Sequence, residues 1–155
     1  MFLQAGDRLI NLQNVSNINL LRDRKRIVFN MNYNIQINSR NGSKLISDYV
    51  YWDCDDSKEF QHNMYNLTTN EYFVNNFIDK INYEGYINLN EISSIKYSFK
   101  KNRVIFNLSH PVTFTDFDGR DKITSEFVYV NCKDSKQFSE YSEYIEKTLG
   151  EKNGN

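Results

Sequence analysis

The chain has little of what most chemical functions demand. Two cysteines and two histidines occur in 155 residues. A structural zinc site takes about four such ligands, no Cys-x-x-Cys is present, and two cysteines do not make a disulfide scaffold. One proline and six glycines leave no glycine-rich loop to cradle phosphate. There is no G-x-S-x-G elbow and no H-E-x-x-H helix. These gaps argue against a metal, a cofactor and catalysis. Charge of one sign is lacking too: 19 basic and 20 acidic residues give a net charge of −1. The balance is even along the chain, with 8 basic and 8 acidic groups in residues 1–77, and 11 and 12 in 78–155. Binding to nucleic acid by bulk positive charge is thereby excluded, so any such contact must use a local patch. No apolar run approaches the ~20 residues of a membrane helix. The first ten residues lack the basic and apolar regions of a signal peptide. The expectation is a cytoplasmic protein without membrane contact.

What is present is asparagine in abundance, together with 39% hydrophobic and 15% aromatic residues. That apolar content is enough for the core of one domain. The sequons at Asn14, Asn41, Asn66 and Asn107 are the statistical by-product of so much asparagine.

The chain also repeats itself. "INLQNVSNI" (Ile10–Ile18) aligns with "INLNEISSI" (Ile87–Ile95) at an offset of 77, and the same offset aligns "RIVFNM" (Arg26–Met31) with "RVIFNL" (Arg103–Leu108). Asn41-Gly42 then meets Asp118-Gly119. After one inserted residue, "YVYWDCDDSKEF" (Tyr49–Phe60) meets "FVYVNCKDSKQF" (Phe127–Phe138), with seven identities in twelve. Order preserved over about 50 residues identifies two tandem copies, the feature to seek before any other.

Each copy reads the same way. Asn-Gly and Asp-Gly between alternating apolar runs are hairpin turns, because both residues tolerate positive φ. Arg26–Ile37 should therefore pair with Leu45–Asp53, and Arg103–Phe117 with Lys122–Asn131. Asn17–Leu21 and Ser94–Phe99 read as strands, as do Leu9–Leu12 and Tyr86–Leu89, with Gly6 and Gly85 in the turns before them. A helix follows. Asp56 caps the first with Glu59 at N3, and Asp134 caps the second with Gln137 at N3, the capping-box spacing. Phe60, Met64 and Leu67 form one apolar stripe, and Phe138, Tyr141, Ile145 and Leu149 another. Thr68–Glu71 starts a further helix running through Phe77. The fold class is thus α+β: two tandem repeats of a four-stranded antiparallel meander followed by a helix, packed with pseudo-twofold symmetry. A unit of ~70 residues is marginal alone, so residues 1–149 form a single domain. Repeat 1 spans 1–67, a connector 68–80 and repeat 2 81–149, with a disordered tail over 150–155.

Cys54 and Cys132 stand two residues before the helix caps. They read as small buried residues at strand ends, the alternative being thiols activated by a helix N-terminus. "DCDD" (Asp53–Asp56) and "DFDGRD" (Asp116–Asp121) lack the downstream Glu and flanking helices of a calcium loop. The basic tips carry more promise. "RDRKR" (Arg22–Arg26) and "FKKNR" (Phe99–Arg103) put cations on the same hairpin tip in both copies. Arg22, Arg24, Lys25, Arg26, Lys100, Lys101 and Arg103 are candidates to neutralise phosphate, and Tyr97 and Phe99 to stack bases if they do not belong to the core. The plainer reading is a solvated tip that protects a strand edge from aggregation.

The tandem order of strands and helix, ending at "FVYVNCKDSKQFSEYSEYI", resembles the PUR and Whirly groups of single-strand nucleic-acid-binding proteins. The resemblance covers most of the chain and is topological. The Lys/Gly-rich strand of Whirly proteins is absent, and no site residue carries over. It implies a non-enzymatic protein that binds single-stranded DNA or RNA through a sheet face and the basic tips. The alternative is a protein-interaction or assembly subunit with an exposed aromatic surface.

Overall fold

The structure is a computed structural model that describes residues 1–40, 42–81, 84–115 and 121–153. Among the described residues, ten strands and three α-helices form an α+β fold with antiparallel sheets. Strands β1 (Phe2–Ala5) and β2 (Arg8–Asn11) pair only with each other. Strands β3 (Val15–Leu21), β4 (Arg26–Ser39) and β5 (Gly42–Asp53) form a meander followed by α1 (Ser57–Thr68) and α2 (Glu71–Asn76). Strands β6 (Phe77–Asp79) and β7 (Gly85–Asn88) make a hairpin. The strands β8 (Ile92–Ser98), β9 (Arg103–Thr115) and β10 (Asp121–Asn131) make a second meander, closed by α3 (Ser135–Asn153).

Local chemistry explains the boundaries. Asn11 and Asn88 end their strands by accepting a hydrogen bond from the backbone two residues on, at 3.2 and 3.0 Å, which starts a short 3-10 turn. This is what the asparagine of each "INL" does. Both capping boxes form. Asp56 Oδ1 accepts from Glu59 N and Asp134 Oδ1 from Gln137 N, each at 2.8 Å. The N3 side chains reach back to Asp55 N and Lys133 N. Asn70 caps α2 through Phe73 N. The tip after β3 is a 3-10 turn, Arg22–Arg24, ending on Lys25 at φ 51°, and the tip after β8 is Phe99–Lys101 ending on Asn102 at φ 48°. The turns at Asn41 and at Asp118-Gly119 lie outside the described residues.

The pairing departs from two four-stranded meanders. β2 does not join β3, and β7 does not join β8. Instead β7 crosses to β3, giving a five-stranded sheet in the order β5-β4-β3-β7-β6 beside a three-stranded sheet β10-β9-β8. Asn17 faces Ile87, Ile18 faces Tyr86, and Asn19 faces Gly85. Gly85 sits at φ +152°, and a Cβ there would lie 1.9 Å from the Ile18 carbonyl oxygen. Only glycine permits that approach. At the offset of 77 that aligns the sequence segments, Arg8 corresponds to Gly85, and a residue with a Cβ could not come as close.

Two cores result. Leu3, Ile10, Ile18, Phe29, Trp52 and Phe60 belong to the first, and Val104, Phe106, Val130, Phe138 and Ile145 to the second. The β6–β7 hairpin feeds both: Phe77 and Tyr86 pack into the first, Ile78 and Ile87 into the second. Helix α3 continues past Leu149, in place of the disordered tail that the sequence suggests. Leu149 packs on the second core and Lys152 Nζ donates to the Asn75 carbonyl. Residues 154 and 155 lie outside the described residues.

Candidate nucleic-acid interface

The structure spreads the nine candidate residues over two faces and the two hairpin tips. Arg26 and Arg103 turn onto the sheet face. Arg26 donates from Nε and Nη2 to the Asp53 carboxylate at 2.5 and 3.2 Å, and its guanidinium lies over the Tyr51 ring at 4.4 Å. The hydrogen bond to Asp53 pushes its pKa further up. Arg103 donates to Asn131 Oδ1 at 2.6 Å and lies over Tyr129 at 4.7 Å. Tyr97 and Phe99 face the other way. Tyr97 is in register with core residue Val104, so it shares the core face, and it meets the Phe138 ring edge-on. Phe99 is 79% exposed but also leans on Phe138, 5.4 Å between centroids. Neither can stack a base beside Arg103 on that sheet face. Arg22 similarly covers Phe60, at 5.7 Å. Arg24, Lys100 and Lys101 are exposed at the tips, and Lys25 is half-buried.

Sequence reading missed the aromatics on the sheet face. Tyr49 and Tyr51 touch at 4.7 Å between centroids, and Phe127 and Tyr129 at 4.6 Å. All four are 44–48% exposed. The signal was available in "YVYWD" and "FVYVN". Val50 and Trp52 turn toward the first core, Val128 and Val130 toward the second, and strand alternation sends the aromatics between them outward. Each ladder thus runs aromatic, aromatic, arginine, then Asp53 or Asn131. The contacts recur at positions 77 or 78 residues apart in the sequence.

Between the sheets lies a cleft of about 460 Å3 lined by Asn17, Asn19, Asn30, Lys80, Glu84, Phe127, Val128 and Tyr129. Asn30 Nδ2 donates to Asn17 Oδ1 at 2.9 Å, and Asn17 Nδ2 to Ser16 Oγ at 3.0 Å. Lys80 is only 7% exposed, and its Nζ donates to Asn19 Oδ1 at 2.5 Å. Burial lowers its pKa to about 8, against the pull of Glu84. A second groove of about 460 Å3 runs between Tyr97, Phe99 and the α3 residues Phe138, Ser139, Glu143 and Glu146.

Cys54 and Cys132 are buried and free, and burial raises both thiol pKa values, the opposite of an activated thiolate. His110 Nδ1 and Glu91 Oε2 lie 2.7 Å apart, and Asn32 donates to the other Glu91 oxygen at 3.1 Å. Among the described residues no three His, Cys, Asp or Glu side chains converge to hold a metal ion, and no helix is long and apolar enough to cross a membrane. The chain matches no known protein family, no curated protein and no solved structure.

Proposed function

We propose that this chain is a non-enzymatic binding protein that holds single-stranded DNA or RNA against the faces of its sheets. One observation carries the reading: arginine-on-tyrosine ladders, Arg26 on Tyr51 beside Tyr49 and Arg103 on Tyr129 beside Phe127. Aromatic rings accept any base, and arginine adds cation–π and phosphate contacts. The tips supply further cations through Arg22, Arg24, Lys25, Lys100 and Lys101. In this reading the halves are copies of one unit related by a pseudo-twofold axis, and the matched contacts at equivalent positions support it. The likeness to the PUR and Whirly groups remains one of tandem order. The two free thiols suit a cytoplasmic setting.

A labelled oligothymidylate is expected to bind at low salt and to weaken as salt rises. Tyr51→Ala and Tyr129→Ala should each cost about fivefold to a hundredfold, from ~1–3 kcal/mol per stacked base. Replacing Arg22, Arg24 and Lys25 with Ala should flatten the salt dependence. Absence of binding at low salt ends this reading.

A separate observation favours a protein-interaction or assembly subunit. β8 ends its sheet with an unpaired edge among the described residues, and the groove beside it exposes Phe99. An extended peptide could add to that edge. Phe99→Asp would then abolish capture of a protein partner while leaving oligonucleotide binding intact.

A further inference from the structure

We propose that the cleft between the sheets is a phosphate site for a nucleotide, with the Lys80 ammonium holding the phosphate. Lys80 sits in the connection between β6 and β7, where its backbone N–H donates to the Gly85 carbonyl at 2.9 Å. The side chain therefore enters the cleft from a backbone fixed by the crossing of β7 onto β3. It is more than nine-tenths buried. An isolated buried ammonium is costly unless paired. Among the described residues no carboxylate lies within ion-pair distance of it, and Asn19 Oδ1 is its one side-chain partner. That leaves two of its three N–H donors without a partner among the described residues. Asn19 lines the same cleft, and its amide N–H groups are further donors there. The floor of the cleft thus offers donors and one positive charge, which select an anion. Its wall offers the Phe127 and Tyr129 rings, which accept a base. Its volume falls within the range of about 300–1,000 Å3 typical of small-molecule sites. The charged and titratable groups facing Lys80 among the described residues are Glu84, exposed at the rim, and the Tyr129 phenol with Arg103 over its ring. Phosphate bound here would raise the Lys80 pKa, because a nearby anion favours the ammonium.

The site rests on the nucleic-acid reading only for the source of its phosphate, a strand or a free nucleotide. The experiment follows the Lys80 ε-methylene NMR signal of the full chain labelled with 13C-lysine. The signal is assigned by its loss in Lys80→Met, or in Lys80→Arg should the first variant not fold. dTMP and an oligothymidylate are added separately while anisotropy reads oligonucleotide binding. The expected result is a midpoint that moves up from about 8. In parallel, oligonucleotide affinity should fall as pH rises through that value in the wild type but not in Lys80→Met. A shift with the oligonucleotide assigns the phosphate to a strand. A shift with dTMP alone, with no oligonucleotide binding by anisotropy, keeps the site and removes the strand reading. Oligonucleotide binding with Lys80 unmoved by either ligand overturns the site and leaves the strand reading standing. No binding and no shift overturn both.

Discussion

Lys25 and Asn102 hold the same backbone place at the two tips, both with positive φ. Asparagine tolerates that region and lysine does so poorly, a left-handed residue costing about 1–2 kcal/mol. Lys25→Asn should therefore raise stability by about 0.5–1 kcal/mol, read as a shift in the denaturant midpoint at unchanged slope. A second residue-scale outcome concerns Lys80. Its folded pKa, about 8, lies below the ordinary lysine value of 10.5. The unfolded chain therefore binds more protons between those values. The penalty for the buried charge is full below pH 8 and shrinks as pH climbs above it. Across that window the stability difference between the wild type and Lys80→Met should change by up to about 3 kcal/mol in favour of the wild type. Comparing the two proteins cancels the opposing contributions of Cys54, Cys132 and Tyr141, whose pKa values are all raised. A parallel wild-type and Lys80→Met stability profile would refute this. Single residues with a local rule behind them were legible. Asp56 and Asp134 cap as their spacing implied, because a capping box is set within a single short stretch of chain. Whether Tyr97 stacks a base or joins the core is open in the sequence, since it depends on which face the second core covers.

The elements were legible wherever periodicity and turn chemistry lie close in sequence. The long hairpin strands, α1 and the core stripe of α3 stand where the alternation and caps put them. Partner choice for the short strands was not legible. β7 could follow the chain to β8 or cross to β3, and hydrophobic alternation is the same for both. The crossing turns on a backbone approach at Gly85, which no periodicity encodes. Gly85→Ala should consequently cost about 3 kcal/mol or more, as overpacking and strain combine. Amide exchange would show the loss first in β3 and β7. A change below about 0.5 kcal/mol would mean that the strand edge yields easily. At the other end of the chain, Asp134→Ala should lower stability by about 1 kcal/mol through loss of the α3 cap, measured in the same denaturant series.

At the scale of the whole molecule, the aromatic ladders and the cleft depend on how the halves meet. Tyr141 donates to the Asp79 carbonyl at 2.8 Å, Asn88 Nδ2 to the Val15 carbonyl at 2.8 Å, and Asn32 to Glu91. These bonds join groups far apart along the chain, and no window of sequence displays them. The β6–β7 hairpin has a further consequence. It gives two of five strands to one sheet and two buried isoleucines to the other core, so the first half lacks two strands of its own sheet while the second core lies within residues 78–149. A chain cut between α1 and α2 should yield an N-terminal fragment that stays unfolded alone and regains the native circular dichroism when the C-terminal fragment is added. The hairpin would act as a detachable key, and the protein as a naturally split reporter.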